Sequence, residues 1–325
     1  MDLMVDGLAP TVKNQKWFYD LVVVGAGPAR TSAAICAAGE GIDTLLIEAE
    51  QAEGGARSIE CIDDCSANPE GITMTGWADL TDRGGRRFLL NVRPGLTVTA
   101  IGQEEDHYQV ETNQGHRIGA NALILAPGLC RRRPNLPGEQ EFQGTGVHTC
   151  VNCEGPRYAG KDVVVIGTHD SGINQALSLA EFAKRVTVVE QGVRATGTRD
   201  LYQKAKTQPN ITFKINCIVR EFKGSHRLTS VLVEDSKTGA FEELDASAAF
   251  MTIGLEPATA AFQNSVDVDQ RGFIKTSSSL QTSLAGVFAA GHALTSQIDC
   301  AEDAASDGYK AAMLVVKYLD KQRHQ

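Results

Sequence analysis

DLVVVGAGPAR, residues 20–30, joins an apolar run to a helix pattern through a glycine turn. Residues 21–24 are unbroken Leu and Val, the mark of a parallel strand covered on both faces. Gly25 permits a tight turn, and Gly27 lets a phosphate approach the backbone. An Ala-rich stretch over 31–38 reads as a helix, and Gly39 and Gly41 punctuate its end. Residues 42–47 are a second apolar strand ending at Glu48, twenty-three positions after Gly25. A dinucleotide fingerprint expects an acidic residue about 20 positions along.

The unit recurs. KDVVVIG at 161–167 enters the turn Gly167-Thr168-His169-Asp170-Ser171-Gly172. A helix pattern follows with Ile173, Ala176, Leu177, Leu179, Ala180 and Ala183, then a strand at 186–189 ending at Glu190. Glu190 again lies twenty-three positions after the first glycine. Two more apolar strands, LILAPG at 123–128 and AGVFAAG at 285–291, flank the second copy, and a helix pattern runs over 302–319. The expected architecture is therefore α/β with two Rossmann-like dinucleotide-binding domains, the second inserted in the first. The first domain is expected over 1–128 and 250–325 and the second over 129–249, with CRRRPNLP at 130–137 as a linker.

A net charge of -9 argues against general nucleic-acid binding, which needs a basic footprint. No apolar run approaches the ~18 residues that span a bilayer. The first twenty residues lack the order of a secretory signal, so the chain reads as cytoplasmic. In such a chain the eight cysteines are not a structural disulfide framework. Cys150-Val151-Asn152-Cys153 raises a redox or metal reading instead, because two cysteines at this spacing can close a small reversible disulfide. Its zinc alternative would recruit Cys61 and Cys65 as the other two thiolates. Cys36 and Cys217 fall in helix and strand patterns and read as core. Cys130 and Cys300 stay undecided. His148 precedes the dithiol and either tunes it or caps a turn. Arg86, Arg87 and Arg131 to Arg133 are basic spots on an acidic chain, either a solvated linker or a patch that steers an acidic partner.

Along nearly its whole length the chain resembles the low-molecular-weight thioredoxin reductases. The resemblance rests on VVVGAGPA at 22–29, Gly54-Gly55, LPGEQEFQGTGVHTCVNCEG at 136–155, KDVVVIG with Asp170-Ser171, TIGLEP at 252–257 and TSLAGVFAAG at 282–291. It implies three-layer ββα domains, FAD on the first unit, a Cys-x-x-Cys on the second and a homodimer. It places Gly25, Gly27, Pro28, Ala29, Glu48, Gly55, Ala126, Gly291 and His292 at the flavin. It assigns Cys153 to the flavin side and Cys150 to exchange with the substrate's disulfide, with Glu154 as a carboxylate able to relay a proton. A thioredoxin-like protein is the implied substrate.

The chain departs from that pattern. Arg30 replaces the third glycine of the first turn, so the helix sits differently or Arg30 points outward. His292 replaces the usual aspartate, and Asp299-Cys300 an Arg-Gln pair. In the second unit His169 replaces the glycine that admits phosphate, and Glu190-Gln191-Gly192 replaces an His-Arg-Arg motif that holds a 2′-phosphate. NADPH is not expected there. NADH stays open, because a carboxylate suits a free 2′-hydroxyl. The pattern is similar to a subgroup without pyridine-nucleotide motifs, the ferredoxin-dependent flavin thioredoxin reductases and the cyanobacterial diflavin-linked disulfide oxidoreductases. It leaves a second FAD open, with His169 or His292 as stacking groups. The leading expectation is a flavin disulfide oxidoreductase fed by ferredoxin or another non-nicotinamide donor. The alternatives are a dithiol oxidase passing electrons to oxygen, and a non-enzymatic redox sensor or flavin-holding protein.

Overall fold

Leu21, Val22 and Val23 have no solvent exposure, and they face opposite ways. Val22 and Val24 enter one core, Leu21 and Val23 another. A strand that feeds two cores must lie in the middle of a three-layer unit. In the computed structural model, which describes residues 16–25, 27–48, 61–62, 72–73, 90–294 and 301–324, this is what surrounds it.

The chain divides into two units, one formed by Met1–Cys130 with Glu256–Gln325, the other by Arg131–Leu255. In the first, the strand Phe18–Gly25 pairs in parallel with Thr44–Glu48 and with Arg117–Ala126. The long strand Arg117–Ala126 has three partners within one sheet. Its first half takes His107–Thr112 antiparallel, and its second half takes Val287–Ala289 in parallel. The helices Pro28–Gly39 and Ala301–Arg323 cover one face, and into the opposite core Val98, Ile101, Tyr108 and Val110 project from the antiparallel strands Val98–Glu104 and His107–Thr112, which extend the same sheet beyond Arg117–Ala126. The two helices approach closely because Gly308 lacks a side chain: a Cβ there would collide with the Ala29 carbonyl oxygen.

The second unit repeats the plan. A parallel sheet runs Val147–His148, Ala248–Met251, Asp162–Ile166, Arg185–Glu190, Ile211–Ile215. Val163 and Val165 pack toward the helices Asp170–Ala180 and Arg199–Lys206. Val164 and Ile166 pack toward an antiparallel sheet of Cys217–Gly224, Leu228–Asp235 and Phe241–Asp245. Ala248–Met251 is central in the parallel sheet, with Phe250 wholly buried, so the second unit extends to Leu255, past the boundary drawn at 249. The expected linker at 130–137 begins inside a strand, Leu129–Arg131. Among the described residues, no helix is long and apolar enough to cross a membrane.

Candidate functional site

Cys150 and Cys153 are joined as a disulfide with their Cα atoms 5.4 Å apart. Cys150 has extended backbone and stands as the N-cap of a one-turn helix, Val151–Glu154. Its Sγ accepts the backbone N–H of Cys153 at 3.2 Å, and its carbonyl accepts that of Glu154 at 3.2 Å. The sequence places a side-chain acceptor where the helix has an orphan N–H, which is what an N-cap requires. Val151 is buried among Leu179 and Phe250 and anchors the turn. Gly155 follows, in a position where a Cβ would crowd Phe182 and Val151 at 3.1 Å. The disulfide therefore rides on a tightly packed base while Asn152 and Cys153 stay exposed. The half-buried Glu154 carboxylate accepts a hydrogen bond from the Arg157 guanidinium.

His148 enters on the strand Val147–His148, level with Phe250. Its Nε2 lies 2.7 Å from the Tyr158 hydroxyl. The His148 ring stands 5.4 Å from the Tyr158 ring and 5.6 Å from Phe250, and Tyr158 meets Phe250 edge-on at 6.1 Å. Burial pushes the His148 pKa below its ordinary value, with Glu154 opposing and Arg157 adding to the effect. Burial also pushes the Tyr158 hydroxyl up. Both groups are thus held neutral at pH 7. Tyr158 was not singled out from sequence, since no spacing or composition marks it.

The first glycine turn gathers most of the expected flavin residues. Gly25 (φ 142°) closes the strand Phe18–Gly25 directly beside Ala126, whose carbonyl fills the space a Cβ would need. Gly27 (φ 86°) is the N-cap and Pro28 opens the helix, where its missing N–H costs nothing. Gly291 (φ 79°) abuts Ala29, at which its Cβ would stand 2.7 Å away. His292 is half-buried in the same 3₁₀ turn. Gly54, Gly55, Cys65, Arg86, Arg87, Asp299, Cys300 and the side chains of Glu48 and Cys61 lie outside the described residues. Arg30 does not point outward. It is 5% exposed, and its Nη1 donates to the Gly25 carbonyl at 3.3 Å, so the guanidinium folds back under the turn.

The second turn keeps different glycines. Gly167 (φ 109°) and Gly172 are both required for packing: a Cβ on Gly167 would meet the Thr252 carbonyl at 2.5 Å, and one on Gly172 would collide with the Gly167 carbonyl. His169 is an exposed N-cap with no side-chain capping bond. Glu190 does not reach outward as a ribose acceptor would. It is 8% exposed; Oε2 accepts the Thr168 N–H at 3.2 Å and the Thr168 hydroxyl, and Oε1 accepts the Gly192 N–H at 2.7 Å. The following segment straps across the turn. Thr196 N–H donates to Thr168 Oγ1 at 3.1 Å, Gly197 N–H to the Thr168 carbonyl at 2.7 Å, and Thr198 N–H to Asp170 Oδ1 at 2.6 Å. The strap needs Gly197, because a Cβ would crowd Ile173, Asp170 and Thr168 within 2.9 Å. Sequence reading looked to His169 for obstruction and missed this strap.

Of the other cysteines, Cys217 is buried and Cys36 half-buried, and burial raises the pKa of both. Arg131 is half-buried, and desolvation lowers its pKa, so it does not belong to a solvated basic patch; Arg132 and Arg133 are exposed.

A family model described as pyridine nucleotide-disulphide oxidoreductase matches residues 19–308. The thioredoxin reductase of Treponema pallidum is 32% identical over 302 residues, covering 93% of this chain and 97% of that protein. Among solved structures, the thioredoxin reductase of Lactococcus lactis superposes with a TM-score of 0.79 at 26% identity, covering 93% of this chain and 99% of that one. The T. acidophilum thioredoxin reductase gives 0.76 at 30% identity, over 94% and 99%.

Proposed function

Because this chain belongs to the pyridine nucleotide-disulphide oxidoreductase family and is an FAD-dependent thiol–disulfide oxidoreductase of the thioredoxin reductase type, we propose that it reduces a thioredoxin-like disulfide with electrons that do not come from a nicotinamide dinucleotide.

The contrast between the two turns carries this reading. The middle glycine of such a turn admits phosphate, and the third serves helix packing. The first unit keeps the middle one, Gly27, and gives up the third to Arg30. The second keeps both packing glycines, gives up the middle one to His169, and spends Glu190 on Thr168 and Gly192. One turn thus keeps its ligand-facing glycine, and the other keeps only what its own fold needs.

The first turn fits FAD. Gly27 stands at the entry of the helix Pro28–Gly39 where the fingerprint puts a pyrophosphate, Gly25 and Gly291 let the turn pack closely on Ala126 and Ala29, and the Arg30 guanidinium adds positive charge beneath it. Bound there, FAD supplies the two-electron relay to the dithiol. In the reduced pair, the Cys150 thiolate attacks one sulfur of the substrate disulfide. A Cys150–substrate bond forms, and the substrate's other sulfur leaves as thiolate. Cys153 then attacks Cys150, the mixed bond breaks, and the Cys150–Cys153 disulfide closes as the second substrate thiol departs. Glu154, held by Arg157 beside Cys153, exchanges protons with the leaving thiolates. The chain acts as a cytoplasmic homodimer, fed by a reduced carrier protein such as ferredoxin.

The test is anaerobic mixing of the flavin-loaded protein with excess NADPH, then NADH. The flavin's visible absorbance is expected to persist with both and to bleach with reduced ferredoxin, followed by loss of a thioredoxin disulfide. Rapid bleaching by either nucleotide overturns the donor assignment. Peroxide made from dithiols in air, with thioredoxin disulfide untouched, would make the protein an oxidase. The flavin-to-protein ratio of the same sample decides between one FAD per chain and two.

A further inference from the structure

The residues around the dithiol hold a polar pair that the exchange steps above do not use. His148 lies two positions before Cys150 on a sheet strand, and Tyr158 lies five positions after Cys153 at the end of the 3₁₀ turn Gly155–Tyr158. Their 2.7 Å hydrogen bond spans the dithiol segment from one side to the other. Both rings are packed on Phe250, which has no exposure. Among the described residues, the charges acting on this pair are those of Glu154 and Arg157, which are bonded to each other. The strand bearing Phe250, AAFM, presents no titratable side chain.

We infer that His148 and Tyr158 are positioning residues for the dithiol: their hydrogen bond fixes the backbone on both sides of the Cys150–Cys153 turn, so the Cys153 N–H stays aimed at Cys150 Sγ after the disulfide opens. In the oxidised protein the S–S bond itself holds that geometry, with the N–H 3.2 Å from the sulfur. On reduction the S–S bond takes up two electrons and breaks, leaving a thiolate on each sulfur; any proton then comes from solvent, and the Cys150 thiolate is the one that faces the Cys153 N–H. Only packing and hydrogen bonds then keep the N–H on the sulfur. A thiolate that retains this donor is stabilised, and a stabilised reduced form makes the pair easier to reduce. An unclasped turn frays, because a single helical turn has no stability of its own.

This inference rests on Cys150 and Cys153 being the redox pair. The experiment equilibrates the flavin-loaded wild type, Tyr158→Phe, His148→Gln and the double variant His148→Leu/Tyr158→Phe with glutathione buffers. In each buffer two glutathione thiols give up their electrons to one protein disulfide, yielding one glutathione disulfide and the protein dithiol. Tyr158→Phe is expected to shift this equilibrium about three- to tenfold toward the protein disulfide, the span of weakening one hydrogen bond. Alkylation of reduced Cys150 at pH 7 should slow by a similar factor. His148→Gln, which keeps a polar partner for the Tyr158 hydroxyl, should stay within twofold of wild type. The double variant removes both polar groups and so restores stability, yet it should keep the shifted equilibrium. A double variant that regains the wild-type equilibrium along with its stability overturns the inference, as does a Tyr158→Phe protein indistinguishable from wild type. A wild-type pair that never exchanges with glutathione removes the function proposed above, and this inference with it.

Discussion

Thr168 binds Glu190 twice, its backbone N–H donating to Oε2 at 3.2 Å and its hydroxyl donating to the same oxygen. The same hydroxyl oxygen accepts the Thr196 N–H, so one side chain ties the carboxylate to the strap. Thr168→Val keeps the shape and the backbone bond to Glu190 but deletes the hydroxyl's bonds to Glu190 and Thr196. Removing a donor from a buried carboxylate costs about 1–3 kcal/mol. A lower urea midpoint is expected, with faster tryptic cleavage after Arg194, exposed two residues before the strap. Unchanged cleavage would mean the strap holds without Thr168.

Stability should depend on pH through His148. Burial lowers its folded pKa below the 6.5 of an unburied imidazole. Between those two values the unfolded chain binds a proton that the folded chain refuses, so stability falls as pH drops through that window. Above 6.5 neither state is protonated and the contribution is flat. Below the folded value both are, and the slope ends. His148→Gln should flatten the urea midpoint across this window. An identical slope in the variant would assign it to other groups.

Gly308→Ala and Gly102→Ala make a matched pair. At Gly308 a Cβ would strike the Ala29 backbone, whereas at Gly102 it meets nothing within 4 Å. The first should cost about 1–3 kcal/mol by overpacking. The second should stay within about 0.5 kcal/mol of wild type. Because Ala29 also abuts Gly291, Gly308→Ala should leave less flavin bound after gel filtration. Full flavin retention would uncouple the helix contact from the cofactor turn.

Thiol labelling should separate the cysteines by environment. Burial raises the pKa of Cys36, with Glu40 adding to it, and raises that of Cys217. Both are expected to react slowly with iodoacetamide at pH 7, since the thiolate is the nucleophile. After reduction, Cys150 and Cys153 should label first, as read by peptide mass. Prior labelling of Cys36 or Cys217 would contradict these environments.

The sheets were legible because they are written locally. Continuous Val and Leu at 21–24 and 163–165 can satisfy only a strand buried on both faces, and the structure puts alternate residues into opposite cores. The boundary at 249 was misread because AAFM is too short and uniform to say which sheet it joins. Arg30 was read as a surface residue or a displaced helix, yet the Gly25 carbonyl gives its guanidinium a buried acceptor. The strap at 196–198 left no trace in the sequence. It has no periodicity, and its bonds reach back twenty-eight positions to Thr168 and Asp170. His148 was legible as a neighbour of the dithiol, but its meeting with Tyr158 was not, because it depends on Phe250, ninety-two positions after Tyr158.

The shared strand Arg117–Ala126 has a consequence for how this chain can change over generations. It stitches a distant C-terminal piece, Val287–Ala289, to the opening half of the molecule while also carrying the hairpin partner His107–Thr112. A one-residue insertion midway along it would turn every later side chain to the opposite face and unpick the C-terminal seam. The Glu105–Asp106 tip of the neighbouring hairpin, exposed and paired to nothing across it, can lengthen freely. Natural length variation in descendants of this chain should therefore gather at that tip and spare the seam.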